Sequence, residues 1–352
     1  MLSKYDSLAA SVRQRFQLYA PLFKENGIEL KVSPLFDRQY LEYRFRNNRV
    51  RPGTVLRCYW RRFRALLSAS KWDLVIIHCD ALPYVPSWVE SLLMKRGIRY
   101  VFDFDDAIFH QYDESSNLIV RWMLGNKVAK VIRSAALVFA GSDYLAEYAK
   151  RTNENVIVVP TVVDTDQFPL KSHREIPPED PVVIGWIGSP STTTYLSDLL
   201  PAIEAFARTR PVKLIAIGAT PLGIKAGTVE NRDWSEETEI PDLLDCDIGI
   251  MPLTDVPWAR GKCAFKLIQY MACGLPVVAS PVGANVEVVQ NNVGFLANDD
   301  QQWRSAFQQL ADDANLRNEM GQSGRRFVCN RFSLQVTGPT VLNSLQKLMD
   351  VY

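Results

Sequence analysis

The residues best suited to handling an anion stand together in "RGKCAFKLIQYMACGLPVVAS", residues 260–280. Arg260 can grip two phosphate oxygens at once through its planar fork, while Lys262 and Lys266 act as point charges. Read as one helix over 262–273, Lys262, Lys266 and Gln269 fall at i, i+4 and i+7 and share a face. Phe265, Leu267, Ile268, Met271 and Ala272 make the rest of that helix apolar. A lysine on such a helix needs an anionic partner or a route to solvent along the helix edge. The first turn adds unpaired N–H groups and a positive dipole end, and Gly261 lets backbone approach closely. A diphosphate accounts for all of these residues.

A second turn, "GWIGSPSTTTYL" (185–196), leads from a strand through Gly188 and Ser189 into a helix. Ser191 to Thr194 offer capping hydroxyls and free N–H groups there. The turn lacks both the GxGxxG fingerprint and the GK[ST] of a P-loop, so alone it reads equally as a capped helix start. Paired with residues 260–269 it becomes one wall of a nucleotide-diphosphate pocket. A third group, "FDFDDAIF" (102–109), ends an apolar run with Asp103, Asp105 and Asp106. Alternation along a strand would set Asp103 and Asp105 on one face. Two such acids could hold a divalent cation on a diphosphate. Basic residues already serve that purpose here, so no metal is expected. The carboxylates are instead expected to meet an acceptor hydroxyl, or to cap the next helix. His78, closing "LVIIHC", is either a further site residue or a core histidine.

These residues are positioned by short apolar runs that alternate with helical patterns, the signature of parallel sheets covered by helices. In the first half the strands are expected at 27–36, 74–79, 100–104, 136–141 and 156–160. Helices are expected near 8–25, 86–96, 116–133 and 143–151. After a polar, proline-rich stretch the alternation restarts, with strands at 182–188, 212–218, 248–253, 276–280 and 293–297, then a helical tail over 302–351. The expected organisation is a first α/β domain over 1–168, a linker over 169–180 and a second over 181–335. A last helix, 336–352, would cross back to the first domain. Ligands of doubly wound sheets lie beyond the carboxyl ends of the strands, here a cleft between two Rossmann-like domains.

The 352 residues and 47% hydrophobic content suit a two-domain globular protein. The opening has no signal-peptide h-region, and no run is long enough to span a membrane. Six scattered cysteines without a CxxC pair read as reduced residues of a cytoplasmic protein. The net charge of +1 hides an asymmetry: residues 1–71 carry 15 Lys/Arg against 5 Asp/Glu. Arginines interleaved with Tyr, Phe, Trp and Leu over 38–67 suit an anionic partner or a solvated helix face. An anionic membrane surface is expected ahead of nucleic acid, placing the protein in the cytoplasm and peripherally on the inner face of the membrane.

"RGKCAFKLIQYMACGLPVVASPVGANVEVV", "GWIGSPSTTTYL" and "VVPTVVDTDQF" (158–168) together resemble glycosyltransferase family 4, whose members have the GT-B fold and nucleotide-sugar donors. The resemblance implies transfer of a sugar from a nucleoside diphosphate to a saccharide or lipid-linked acceptor, as in polysaccharide biosynthesis. It also implies retention of configuration and no cofactor or essential metal. Arg260, Lys262 and Lys266 would hold the pyrophosphate, beside Gly188 and Ser189, with Trp234 near the base. Gln269 stands where the family has the second Glu of Glu-x7-Glu, which bonds the ribose, and Gly261 replaces the first. Asp105 roughly takes the place of a family histidine, so Asp105, Asp103, Arg260 and Lys262 would carry catalysis. His78, Asp106 and Arg13 would meet the acceptor. The missing acid also suits a degenerate, nucleotide-binding relative, and a sugar-nucleotide epimerase shares the fold. Family members open on a strand and a Gly-rich loop. Here the helical reading of the opening leaves that strand outside the sequence or remodelled, with residues 7–13 as the remnant of the loop.

Overall fold

The computed structural model describes all residues except 8–9, 48–51, 291 and 351–352. The chain divides into two compact units, one of residues 1–162, 260–263 and 337–352, the other of residues 163–259 and 264–336. Each holds a six-stranded sheet with every strand pair parallel.

In the first unit the strands are β1 (Leu2–Tyr5), β2 (Ser33–Phe36), β3 (Val75–His78), β4 (Tyr100–Phe104), β5 (Leu137–Ala140) and β6 (Val156–Val158), in the order β2-β1-β3-β4-β5-β6. The central three, VIIH, YVFDF and LVFA, are buried along their whole length. Helices on both faces of a parallel sheet require such unbroken apolar runs. The second unit has β7 (Val182–Ile187), β8 (Val212–Ile217), β9 (Thr228–Arg232), β10 (Ile248–Met251), β11 (Val277–Ala279) and β12 (Gly294–Leu296), ordered β12-β11-β10-β7-β8-β9. Both orders reverse direction once, between β1 and β3 and between β7 and β10, and such reversals open a crevice at the strand ends.

Four expectations change. The opening is not purely helical: Leu2–Tyr5 forms β1 between β2 and β3, with Leu2 and Ser3 buried. Four residues are too few for periodicity to announce. The helix expected over 8–25 is interrupted by a π-turn at Arg13–Gln17. The remnant-loop reading of 7–13 runs partly through residues 8–9, outside the described residues. The helix expected over 116–133 is two, Leu118–Leu124 and Lys127–Ser134. β9, "TVENR", went unforeseen because it is an edge strand with one apolar residue; Glu230 pairs with Arg232 along the strand and with Lys213 of the neighbouring β8.

The 169–180 stretch packs into the second unit. Lys171 Nζ donates to the carbonyls of Leu244 and Cys246, and the His173 ring bonds the Gly274 carbonyl at 2.9 Å. The six cysteines form no disulfide.

Candidate functional site

In the first unit the parallel register sets His78 opposite Asp103. Their side chains meet, His78 Nδ1 to Asp103 Oδ2 at 2.7 Å, and both are buried. Arg15, carried in by the π-turn, donates from Nε to both Asp103 oxygens at 3.1 and 3.2 Å, and its other nitrogens reach Asp103 and the Val159 carbonyl. Burial alone would raise the Asp103 carboxyl, but Arg15 and His78 hold it below its usual range. Burial alone would lower His78; Cys79, Asp103 and Asp105 outweigh it and raise the imidazolium well above its usual value.

Asp103 and Asp105 were expected to present one acidic face. Asp103 is instead wholly enclosed, with both oxygens engaged by Arg15 and one of them also by His78. Asp105 lies just past the end of β4 and its side chain keeps 13% exposure. Burial pushes its carboxyl up, with Asp106 and Asp103 adding to this against His78 and Arg15. Asp106 is the most open of the three, at 40%. Arg13 is buried and donates to the Ser7 carbonyl at 2.8 Å. Sequence reading chose Arg13, while the buried ion pair falls to Arg15, two residues on; nothing in their types separates them.

The 260–263 segment belongs to this same unit. A Cβ at Gly261 would lie 2.3 Å from the Ala107 Cβ and 2.8 Å from its backbone nitrogen. Ala107 is fully buried, so a Glu cannot stand at position 261 without displacing the loop after β4. The Cys263 thiol donates to the Asp105 carbonyl at 2.9 Å, and Lys262 Nζ is 3.6 Å from Asp106 Oδ1.

The single helix expected over 262–273 is corrected. Ala264 adopts a left-handed conformation (φ 54°), so the helix starts only at Phe265 and ends at Ala272. Lys262 therefore precedes it, and Arg260 ends a separate turn, Pro257–Arg260. The shared stripe reduces to Lys266 and Gln269.

In the second unit Gln269 is buried and donates from Nε2 to Glu239 Oε1 at 2.7 Å. Trp234 Nε1 donates to the other oxygen of Glu239, also at 2.7 Å. Glu239 thus joins two expected donor-site residues. Sequence reading passed over it among the neighbouring acids of "SEETEI". Trp234 also packs beside Gly218, where a Cβ would lie 3.1 Å from its Cβ and 2.4 Å from the Gly188 carbonyl. The ends of β7 and β8 can approach this closely because Gly218 takes φ +70°. Lys266 Nζ sits over the Trp186 ring, 5.2 Å from its centroid. The Gly188–Ser189 turn is already bonded: Gly188 N–H donates to the Ile217 carbonyl at the end of β8 and Ser189 N–H to Thr192 Oγ1. Those two N–H groups are committed to the fold.

Among the described residues, His78, Cys79 and Asp105 form a cluster whose ligand atoms lie within 4.8 Å of one another. No helix among the described residues is long and apolar enough to cross a membrane.

No curated protein matches the chain in sequence. Its fold is that of sucrose-phosphate synthase from Thermosynechococcus elongatus (TM-score 0.66, 15% identity, 86% of this chain and 81% of that one). Similar too are a glycosyltransferase from Rickettsia africae (0.65, 15%, 99% and 97%) and HepE from Anabaena in complex with UDP (0.63, 15%, 96% and 94%). These likenesses establish GT-B architecture. The model for "Glycosyl transferase 4-like domain" matches residues 17–161, and that for "Glycosyl transferases group 1" matches residues 181–313. Between them the two take in most of the chain, which belongs to the group 1, family 4-type glycosyltransferases.

Proposed function

We propose that this glycosyltransferase takes its sugar from a nucleoside diphosphate, whose phosphates meet the basic residues of the Arg260–Lys266 run, and passes it to a hydroxyl of a saccharide or lipid-linked saccharide. The observation that carries the reading is the hydrogen-bonded chain from partly buried Trp234 to buried Glu239 and Gln269, beside Gly188 and Gly218. A polar network enclosed in an apolar unit positions its members for a ligand at a cost that the fold must offset. With its amide nitrogen held by Glu239, Gln269 presents a carbonyl oxygen that suits a ribose hydroxyl. HepE has been seen with UDP and with UDP-glucose, which favours a uridine nucleotide.

Arg260, Lys262 and Lys266 follow one another within seven residues. Together with the helix start at Phe265, they supply positive charge where the leaving diphosphate gains negative charge. That charge makes a divalent metal unnecessary for leaving-group departure. On the first unit Asp105, its carboxyl raised by burial, accepts the proton or hydrogen bond of the acceptor hydroxyl. The family resemblance supports retention of configuration. His78 positions Asp105's surroundings, and Asp106 lies on the open side.

Calorimetry with UDP and UDP-sugars tests this. Wild-type protein is expected to bind UDP, and Arg260→Ala or Lys266→Ala to weaken it at least tenfold and to cut transfer further. Equal UDP affinity in all three would remove the diphosphate assignment.

The membrane expectation gains a specific feature. On helix Pro52–Leu67, Leu56 and Trp60 are 73% and 63% exposed, between exposed Arg57, Arg61 and Arg64. On helix Leu118–Leu124, Leu118, Ile119 and Met123 are exposed and Trp122 reaches 85%. Trp and Leu among arginines is the composition of an interfacial helix. We infer that the first unit docks on anionic lipid, where a lipid-linked acceptor would be presented.

A further inference from the structure

We propose that His78, Cys79 and Asp105 form a three-ligand site for a thiophilic divalent transition metal, zinc by chemical class. Cys79 Sγ lies 3.6 Å from His78 Nε2 and 3.5 Å from Asp105 Oδ1, and the latter two are 4.0 Å apart. Around a tetrahedral zinc ion with bonds of about 2.0–2.3 Å, ligand atoms stand roughly 3.3–3.6 Å from one another. Two edges already match, and the third closes by a shift of about half an ångström in Asp105, which lies beyond the strand and is partly exposed.

Three further features prepare the cluster. His78 Nδ1 is engaged by Asp103, which fixes the ring and leaves Nε2 on the side of Cys79 and Asp105. A carboxylate behind a histidine in this way is the usual support of a metal-bound imidazole. Asp103 is itself neutralised by Arg15; on binding, the ion displaces the Nε2 proton of His78 and the thiol proton of Cys79 to solvent, and then meets the Cys79 thiolate and the Asp105 carboxylate, two negatives for two positives. Cys79 also holds a left-handed backbone, φ 63°, a conformation that a non-glycine residue rarely adopts. That turn, at the end of β3 beside the β1/β3 reversal, is what brings Sγ against the histidine. Imidazole, thiolate and carboxylate together suit zinc in preference to magnesium or calcium.

The site shares no residue with Arg260, Lys262 and Lys266. Bound zinc would occupy Asp105, so it would inhibit transfer, a consequence that rests on the acceptor role proposed above. Binding itself is read without activity. Full-length protein stripped with a chelator is titrated with Co2+, then with Zn2+. One equivalent of Co2+ is expected to give a thiolate-to-cobalt charge-transfer band that Zn2+ abolishes. Cys79→Ser should remove the band, Cys329→Ser should keep it, and Asp103→Asn should weaken binding ten- to a hundredfold. Asp105→Asn, at a partly exposed position, tests the same ligand set where Cys79→Ser misfolds; it too should weaken binding at least tenfold. No band in wild type, or an undiminished band in Cys79→Ser, overturns the proposal. A band with transfer indifferent to zinc would uphold the metal site and remove Asp105 from acceptor contact.

Discussion

Arg15 and Asp103 sit at the limit of what a folded chain tolerates, two opposite charges each at most 3% exposed. Removing both from water costs several kcal/mol per ion, recovered only through close geometry and further hydrogen bonds. Both are present: Arg15 makes contacts to two partners, and Asp103 accepts from two. Asp103→Asn therefore leaves an uncompensated guanidinium, and we expect a loss of about 3–5 kcal/mol in urea unfolding. The double variant Arg15→Met with Asp103→Leu should lose much less. A single variant within about 1 kcal/mol of wild type would show that the pair does not hold this corner. The sequence displayed Asp103 clearly, as an acid at the end of an apolar run, yet misread its part. An acid at a strand end faces a ligand or a buried cation according to what a distant segment brings up. Here the segment is a π-turn 88 residues away in sequence. Glu239 was missed for a similar reason: only the fold singles it out from Glu236 and Glu237 by placing it against Gln269 and Trp234.

Helix Trp88–Lys95 carries a comparable acid with the opposite balance. Glu90 is 1% exposed, and its nearest cation, Lys127 Nζ, is 3.9 Å away because that ammonium is drawn to Asp80 at 2.7 Å. Burial prevails and pushes the Glu90 carboxyl up to about 7. A carboxyl raised in the folded state adds stability that is complete below its unfolded value of about 4.5 and is lost as pH rises through about 7. The shift corresponds to about 3 kcal/mol. His78, also raised, acts in the same direction, so the informative quantity is the difference from Glu90→Gln. Wild type should lose more stability than Glu90→Gln between roughly pH 5 and pH 8, by urea midpoints; parallel curves would refute the assignment. Buried strands were legible because parallel sheets demand continuous apolar runs, as in VIIH and LVFA. The break before helix Phe265–Ala272 was not, since it rests on a left-handed Ala264, a residue type carrying no turn signal. Gly261 was visible as a departure from the family, and its cause, the contact with Ala107, emerged only from packing.

The uneven charge of the whole chain, a surplus of ten positive residues over positions 1–71 against a net +1, bears on solubility and association more than on which fold forms. Within that surplus Arg62 is committed to the fold, donating to the carbonyls of Ser3, Ser33 and Ala81, and Arg15 to Asp103. Residues 48–51 of the basic stretch lie outside the described residues. Arg57 and Arg64 stay exposed beside Leu56 and Trp60, and each basic group near an anionic surface contributes about 1 kcal/mol. Apolar insertion by Trp60 and Trp122 adds a part that salt does not screen, whereas the arginine part fades as the screening length falls below about 10 Å. The two parts predict separable behaviour in flotation with vesicles containing phosphatidylserine. Wild type should float at about 50 mM salt and largely detach at about 500 mM. Arg57→Glu with Arg64→Glu should abolish flotation at low salt, and Trp60→Ser with Trp122→Ser should weaken it at every salt concentration. Flotation equal on neutral lipid would assign binding to the tryptophans alone, and none at low salt would leave the exposed tryptophans and arginines without a lipid partner.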